Sequence, residues 1–217
     1  MTNQELFSHV DHTLLKPEAT PEQIAALCAE AAEHGTASVC VNGSYVALAK
    51  KLLDGKAKVC AVIGFPLGAM STAAKAFEAA EAIRDGADEI DMVIHIGQLK
   101  AGNTDYVLED IKAVKAAIGD HILKVIIETC LLTEEEKITM CRLVTESGAE
   151  YIKTSTGFST GGATFDDVRL FAEHVGEGVK IKAAGGIRSR EDMEEFLRLG
   201  ASRLGTSSAV KILCGKN

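Results

Sequence analysis

The chain has 217 residues, of which 47% are hydrophobic and 25% are charged. This length suits a domain with a core of its own, and the composition excludes disorder over most of the chain. The formal net charge of −8 argues against nucleic acid and anionic membranes as partners, since both attract basic surfaces. Because no apolar run approaches the roughly 20 residues that span a bilayer, we expect a cytoplasmic protein.

Short β-branched segments alternate with segments rich in Ala, Glu and Lys. In chain order, the predicted strands are Ser8–Thr13, Ala37–Asn42, Lys58–Phe65, Asp88–Ile96, Ile122–Thr129, Glu150–Thr156, Gly178–Gly186 and Ala201–Ser208. Several of them are apolar almost throughout, which is typical of parallel strands covered by helices. The pattern predicts a (β/α)8 TIM barrel with an extra N-terminal helix, and an open doubly wound sheet is the alternative.

The predicted helices carry start and stop signals. Thr20 precedes a proline, and capping-box patterns begin at Thr133 and, more weakly, at Ser189. The glycines that end predicted helices are Gly35, Gly86, Gly148 and Gly200. Since no linker or change in composition interrupts this series, we expect residues 1–217 to form a single domain.

Three charged residues, Asp91, Lys153 and Lys182, lie inside apolar strands. Lys153 and Lys182 occupy consecutive strands, each just before a glycine-containing turn. Neighbouring strands are about 4.8 Å apart, so the two amines could approach each other closely. Repulsion and burial would then lower the pKa of a lysine and give the neutral amine that attacks a carbonyl group. The structural alternative is that each lysine forms an ion pair, for example with Asp91.

Glycine-containing segments follow the last two predicted strands. Residues Gly185–Ser189 and Leu204–Ser208 each lead from a strand into a helix, where backbone N–H groups favour phosphate. In (β/α)8 barrels, the loops after the seventh and eighth strands frequently bind phosphate. Ordinary tight turns would also use glycine, but the two segments together favour a phosphate site.

Several long motifs are distinctive. They are VDHTLLKP (Val10–Pro17), GADEIDMVIHIG (Gly86–Gly97), VIIETCLLTEEEK (Val125–Lys137), YIKTSTGFSTGGAT (Tyr151–Thr164) and KIKAAGGIRS (Lys180–Ser189). Together they closely resemble the deoxyribose-phosphate aldolase family, which consists of class I aldolases. The resemblance extends over nearly the whole chain.

The resemblance implies a barrel lyase without metal or cofactor. Such a lyase reversibly cleaves 2-deoxy-D-ribose 5-phosphate to D-glyceraldehyde 3-phosphate and acetaldehyde. Lys153 would be the Schiff-base lysine, Lys182 the lysine that lowers its pKa, and Asp91 the proton-relay carboxylate. The implied substrate-binding residues are Asp11, Thr13, Gly157, Gly185, Gly186, Ser207 and Ser208. The family also suggests a homodimer.

Two positions depart from the family pattern. Phe158 stands where some members carry a lysine that could touch phosphate, which predicts weaker phosphate selectivity and a larger part for backbone groups or Arg188. His95 stands where related sequences often have Asn.

Other classes of function receive less support from the sequence. The six histidines lack zinc-binding spacings, and the six cysteines, which form no C-x-x-C pair, are expected to be free thiols. A non-covalent sugar-phosphate isomerase, with Lys and Asp as acid and base, is the alternative enzyme. A phosphate-binding scaffold protein without catalysis is the alternative outside enzymes.

Overall fold

The computed structural model describes residues 1–215, in which eight parallel strands close into a barrel. The strands are β1 (Val10–Leu14), β2 (Ser38–Asn42), β3 (Lys58–Ile63), β4 (Glu89–Val93), β5 (Ile122–Ile126), β6 (Tyr151–Lys153), β7 (Lys180–Ala184) and β8 (Ala201–Thr206). Each strand pairs with the next in chain order, and β8 pairs with β1. This closure confirms the predicted (β/α)8 barrel and excludes the open doubly wound sheet.

Helices precede the barrel and connect its strands. The α-helices are α1 (Asn3–Phe7), α2 (Pro21–His34), α3 (Val46–Leu53), α4 (Thr72–Arg84), α5 (Ile96–Lys100), α6 (Thr104–Ile118), α7 (Glu134–Ser147), α8 (Phe165–His174), α9 (Arg190–Arg198) and α10 (Ala209–Cys214). Helix α1 lies before β1, as predicted. None of the helices within residues 1–215 is both long and apolar enough to cross a membrane.

The predicted start signals form the caps that their patterns indicate. Complete capping boxes begin α2 at Thr20, α7 at Thr133 and α9 at Ser189. Gly35 and Gly148 end α2 and α7 in the left-handed conformation, with φ of 67° and 81°. Local sequence therefore fixes where these helices begin and end.

Alternate residues of each strand face opposite sides of the barrel wall. In β4, for example, Ile90 and Met92 belong to the apolar core, whereas Glu89 and Asp91 contact charged groups across the interior. This alternation follows from the two-residue period of a strand. In β4 it directs the charged side chains into the barrel interior and the aliphatic side chains into the surrounding apolar core.

Most predicted strands extend too far at their carboxyl ends. The strand predicted to reach Thr156, for example, ends at Lys153, although Thr154 and Ser155 remain fully buried. Burial thus continues beyond the strand pairing, and the sequence pattern does not mark the end. The residues beyond the strands form loops at one end of the barrel, where the candidate site lies.

Candidate active site

The two strand lysines lie side by side in the barrel interior, as predicted. Lys153 of β6 pairs with Lys182 of β7 in the strand register. Their amines donate to the same carboxylate oxygen, Asp91 Oδ2, at 2.7 Å from Lys153 Nζ and 2.6 Å from Lys182 Nζ. Strand register and the inward side of the pleat therefore bring the three predicted catalytic residues together.

A group of buried charged side chains, which we call the barrel ionic cluster, surrounds this contact. Its members are Asp11, Glu89, Asp91, Lys124, Lys182 and Arg203, none more than 8% exposed. Lys124 Nζ lies 2.9 Å from Asp91 Oδ1 and 2.6 Å from Glu89 Oε2. Arg203 donates to both oxygens of Glu89 at 3.1 Å. Because an isolated buried charge is costly, these contacts explain how the interior holds so many charges.

The contacts of the cluster determine its protonation states. Burial alone would raise the pKa of Asp91, but the ammonium groups around it, Lys124 foremost, hold that pKa well below its usual range. Burial alone would lower the pKa of Lys182, but the carboxylates of Asp11 and Asp91 raise it above its ordinary value. Lys182 is therefore an ammonium group and Asp91 a carboxylate over the ordinary pH range.

The ion pairs of this interior distinguish Lys153 from its neighbours. The cluster contains three carboxylates and three basic side chains, and Lys153 is a fourth basic group next to them. Lys58, which also approaches Glu89, is exposed to solvent. Lys153 contacts one carboxylate, that of Asp91, whereas Lys182 contacts two and Lys124 contacts three. Fewer carboxylates therefore compete with a ligand for the Lys153 amine.

A cavity of about 650 Å³ opens at the carboxyl ends of β1, β6, β7 and β8. Of the predicted site residues, those that line it are Thr13, Lys153, Gly157, Gly185, Gly186, Ser207 and Ser208. Lys182 and Asp91 lie beneath the cavity and are fully buried. Lys153 thus lines the cavity and also contacts the buried ionic cluster.

Asp11 lies in the buried layer below the cavity. Its carboxylate, which the family resemblance would place near the sugar hydroxyls, is fully buried and is not among the residues that line the cavity. It accepts a hydrogen bond from Ser38 Oγ at 2.7 Å and forms ion pairs with Lys182 and Arg203. Two strand residues span about 6.6 Å, so Thr13 reaches the cavity while Asp11 remains a layer below.

Close backbone packing joins the loops that follow β6 and β7. A Cβ atom on Gly162 would lie 2.5 Å from the carbonyl carbon and oxygen of Gly185, so no side chain fits there. The Ala163 N–H donates to Ala184 O at 3.1 Å and to Gly185 O at 3.0 Å. The glycines therefore allow these two loops to pack directly against each other, and the packed loops form one wall of the cavity.

Comparison with known proteins identifies the family. The profile of the DeoC/LacD aldolase family matches residues 6–217. The chain belongs to this family. It is 59% identical over 212 residues to the deoxyribose-phosphate aldolase of Streptococcus suis strain 98HAH33, across 97% of this chain and 96% of that protein. It is 54% identical over 216 residues to the deoxyribose-phosphate aldolase of Clostridium botulinum strain Alaska E43, across 100% and 98%.

Solved structures agree with this assignment. The tetrameric deoxyribose phosphate aldolase of Aeropyrum pernix aligns with a TM-score of 0.90 at 32% identity, across 99% of this chain and 92% of that chain. The resemblance inferred from the motifs is therefore confirmed. The relatives named above are themselves aldolases, and they lend no support to the isomerase alternative.

Sequence reasoning missed three members of this aldolase's ionic cluster, namely Lys124, Glu89 and Arg203. Lys124 lies between Leu123 and Val125 of β5, so the criterion that selected Asp91, a charge within an apolar strand, applied to it as well. The sequence therefore marked Lys124 as a candidate. The contacts of the ionic cluster could not be read from the sequence, because they form only when the closed barrel brings β4, β5 and β8 together around one interior.

The two departures from the family pattern have local structural roles. Phe158 lines the cavity, is 49% exposed and packs edge-on against Phe65, with ring centroids 5.2 Å apart. Arg188 also lines the cavity, and its backbone N–H donates to Asp192 Oδ2 at 2.9 Å. His95 is the N-cap of α5, where its Nδ1 accepts the Gln98 N–H at 3.3 Å.

Two buried thiols lie close to Asp91 and could contribute ligands to a metal ion. Ligand atoms of Cys40, Cys60 and Asp91 lie within 4.8 Å of one another. However, Lys124 Nζ is 3.3 Å from Cys60 Sγ and 2.9 Å from Asp91 Oδ1. An ammonium group in this position opposes a second cation, so the geometry does not favour a metal there.

Proposed function

We propose that this protein is a class I aldolase that reversibly cleaves 2-deoxy-D-ribose 5-phosphate to D-glyceraldehyde 3-phosphate and acetaldehyde. One observation carries the proposal. The Lys153 amine borders the cavity and shares Asp91 Oδ2 with a second, fully buried lysine. The names of the two bacterial relatives, which are more than half identical to this chain, point to the same substrate.

Lys153 is the proposed nucleophile because it is the reachable one of three neighbouring lysines. Lys124 and Lys182 are fully buried and held as ammonium groups, since burial is outweighed by carboxylates that raise the pKa of each. Lys153 instead lines the cavity. An amine must be neutral and within reach of the carbonyl carbon to form an imine.

The covalent steps follow from this amine. Lys153 Nζ adds to the C1 aldehyde of the open-chain sugar, and loss of water gives a protonated imine. The C2–C3 bond then breaks, and its electron pair moves towards the iminium nitrogen to form an enamine. The C3 hydroxyl loses its proton, so that C3 becomes the aldehyde of glyceraldehyde 3-phosphate. The enamine takes up a proton at C2, and water releases acetaldehyde and the free amine. The iminium ion itself is the electron sink, so these steps need no cofactor.

Asp91 is the proposed proton relay. Its carboxylate lies beneath the cavity and touches Lys153 directly, so a proton can reach it through the amine or through water. The surrounding ammonium groups hold the pKa of Asp91 well below its usual range, so Asp91 is a carboxylate, able to accept a proton, before each transfer.

The glycine-containing loops of the cavity wall suit the phosphate. Loops after β6, β7 and β8 bring Gly157, Gly185, Gly186, Ser207 and Ser208 to its wall, where backbone N–H groups and hydroxyls can serve as donors. Arg188 adds a positive charge to the same wall. We propose that these groups bind the phosphate and that Thr13 contacts the sugar.

Steady-state cleavage of 2-deoxyribose 5-phosphate tests the proposal. The wild-type protein should release acetaldehyde, and Lys153→Met should lose this activity while keeping its fold. Lys16→Arg is the matched control, since Lys16 is another amine on the cavity wall but lies outside the ionic cluster. Activity that survives in Lys153→Met, or that is lost equally in Lys16→Arg, would contradict the role of Lys153.

The same variants distinguish the alternative functions. An isomerase would interconvert sugar phosphates without releasing acetaldehyde. A scaffold protein would bind the sugar phosphate equally well with and without Lys153, and would turn over neither.

We also propose a setting for the enzyme. Its six cysteines are free thiols, which suits the reducing cytoplasm. Its partners would be small sugar phosphates and aldehydes, and self-association as a homodimer stays a prediction that light scattering can test.

A further inference from the structure

Glu128 has an unusual backbone conformation close to the candidate site. It follows β5 with φ of 57° and ψ of 65°, in the left-handed region that favours glycine, and it is only 2% exposed. The other non-glycine residue with positive φ within residues 1–215 is Asp54, which caps the end of α3. Strain in a buried residue persists only where its surroundings impose it, and such residues concentrate at functional sites.

The Glu128 side chain contacts the start of the loop that follows β6. Its Oε1 accepts the Thr156 N–H at 3.1 Å, and its Oε2 accepts the Thr156 hydroxyl. The same hydroxyl oxygen accepts the Phe158 N–H at 3.0 Å. Glu128 thus fixes both the backbone of Thr156 and the direction of its hydroxyl, which in turn holds the next turn of the loop.

The segment held in this way is part of the cavity wall. Residues 157–162, all of which line the cavity, lie between the Glu128–Thr156 contact and the Ala163 N–H contacts with Ala184 and Gly185. The segment therefore has one anchor at each end. Glu128 itself does not line the cavity, so it acts on a ligand only through Thr156.

We propose that Glu128 is a positioning residue that holds segment 157–162 in the shape that binds the phosphate-bearing end of the substrate. The inference rests on the proposed aldolase function and extends it to a residue outside the cavity. The strained backbone aims the carboxylate at Thr156, and the two hydrogen bonds define where the segment leaves β6. Small aldehydes need only Lys153, so their imine chemistry is independent of this anchor.

Kinetics of Glu128→Ala and Glu128→Gln test this inference. Both variants keep a side chain with a Cβ atom at the left-handed position, so they share the wild-type backbone strain. Loss of the carboxylate leaves buried donors of Thr156 unpaired, and KM for 2-deoxyribose 5-phosphate should rise about tenfold or more in Glu128→Ala. Glu128→Gln retains an acceptor for the Thr156 N–H and should restore part of this loss.

Four further measurements separate positioning from a general structural role. In Glu128→Ala, borohydride trapping of acetaldehyde on Lys153 should keep its wild-type rate, and kcat should change less than KM. Selectivity for phosphorylated over unphosphorylated deoxyribose should fall. Thr156→Val breaks the same contact from the other side, and the double variant should be no worse than the single variants if the pair acts as a unit.

An unchanged KM in folded Glu128→Ala would overturn the inference, as would a parallel loss of acetaldehyde trapping. If Glu128→Ala does not fold, Glu128→Gln and Thr156→Val decide: wild-type KM in both would overturn it. Failure of the aldolase proposal looks different, because the wild-type protein would then neither cleave the sugar phosphate nor form an adduct at Lys153.

Discussion

Replacement of Lys182 by Met should affect stability and chemistry together. Lys182 contacts the carboxylates of Asp11 and Asp91, and all three residues are fully buried. Removing one partner of a buried ion pair costs about 3–5 kcal/mol. For a chain of this size, about 1 kcal/mol changes Tm by about 2–4 °C, so Tm should fall by about 6–20 °C.

The chemical effect has the same origin. Without Lys182, three carboxylates remain with two basic members of the cluster, and Asp91 loses one of the two amines that share its Oδ2 atom. An extra attraction of about 1.4 kcal/mol between Asp91 and the Lys153 amine would slow the reaction of that amine about tenfold. Borohydride trapping of acetaldehyde at pH 7 should therefore slow by about tenfold or more in Lys182→Met.

Calorimetry and the trapping rate, measured on the same preparation, check this prediction. Lys180→Met is the matched control, because Lys180 lies two residues earlier in β7 with its side chain exposed. That variant should lose no more than about 0.5 kcal/mol of stability and keep its trapping rate. If Lys182→Met loses stability but traps acetaldehyde like the wild type, Lys182 has only a structural role and does not affect the reactivity of Lys153.

Three further predictions concern acid stability, phosphate selectivity and loop packing. Carboxylate pKa values that are lowered in the folded state, as for Asp11 and Asp91, mean that the unfolded chain binds more protons. The free energy of unfolding should therefore be level from about pH 6 to 8 and fall below about pH 4, and a curve that is flat in acid would refute this. Phe158→Lys places an ammonium on the cavity wall, and the ratio of kcat/KM for the phosphorylated sugar to kcat/KM for the unphosphorylated sugar should rise about three- to tenfold. A buried ion pair would give a larger rise, but this position is half exposed. An unchanged ratio would show that the phosphate binds elsewhere. Gly162→Ala places a Cβ atom 2.5 Å from the Gly185 carbonyl group and should raise KM for the sugar phosphate about tenfold, whereas a wild-type KM would mean that the two loops need not touch.

The sequence predicts the barrel well because its signals are local and repeated. All eight strands form where β-branched segments recur, and the capping boxes at Thr20, Thr133 and Ser189 begin helices. The ends of the strands are less predictable, since residues such as Thr154 stay buried after strand pairing stops. Burial and pairing are separate properties, and only burial is visible in the apolar pattern.

The candidate site is only partly predictable for a related reason. Inward-facing charges can be recognised from their place in apolar strands, which identifies Lys153, Lys182 and Asp91. Depth along the barrel axis cannot be recognised in this way: Thr13 lines the cavity, whereas Asp11 of the same strand lies in the buried layer below it. Nor does the sequence reveal that Glu128 adopts a left-handed backbone, because glutamate has no preference for it.

Borohydride reduction in the presence of acetaldehyde, followed by mass spectrometry of the digested protein, is the most direct test of Lys153 as the Schiff-base lysine. The reduction converts the imine into a stable N-ethyl lysine, which reports both the covalent chemistry and its position. We expect the modification on the peptide that contains Lys153, and none on Lys16, Lys124 or Lys182. Modification of another cavity lysine, or no stable adduct in protein that cleaves 2-deoxyribose 5-phosphate, would contradict the proposed mechanism.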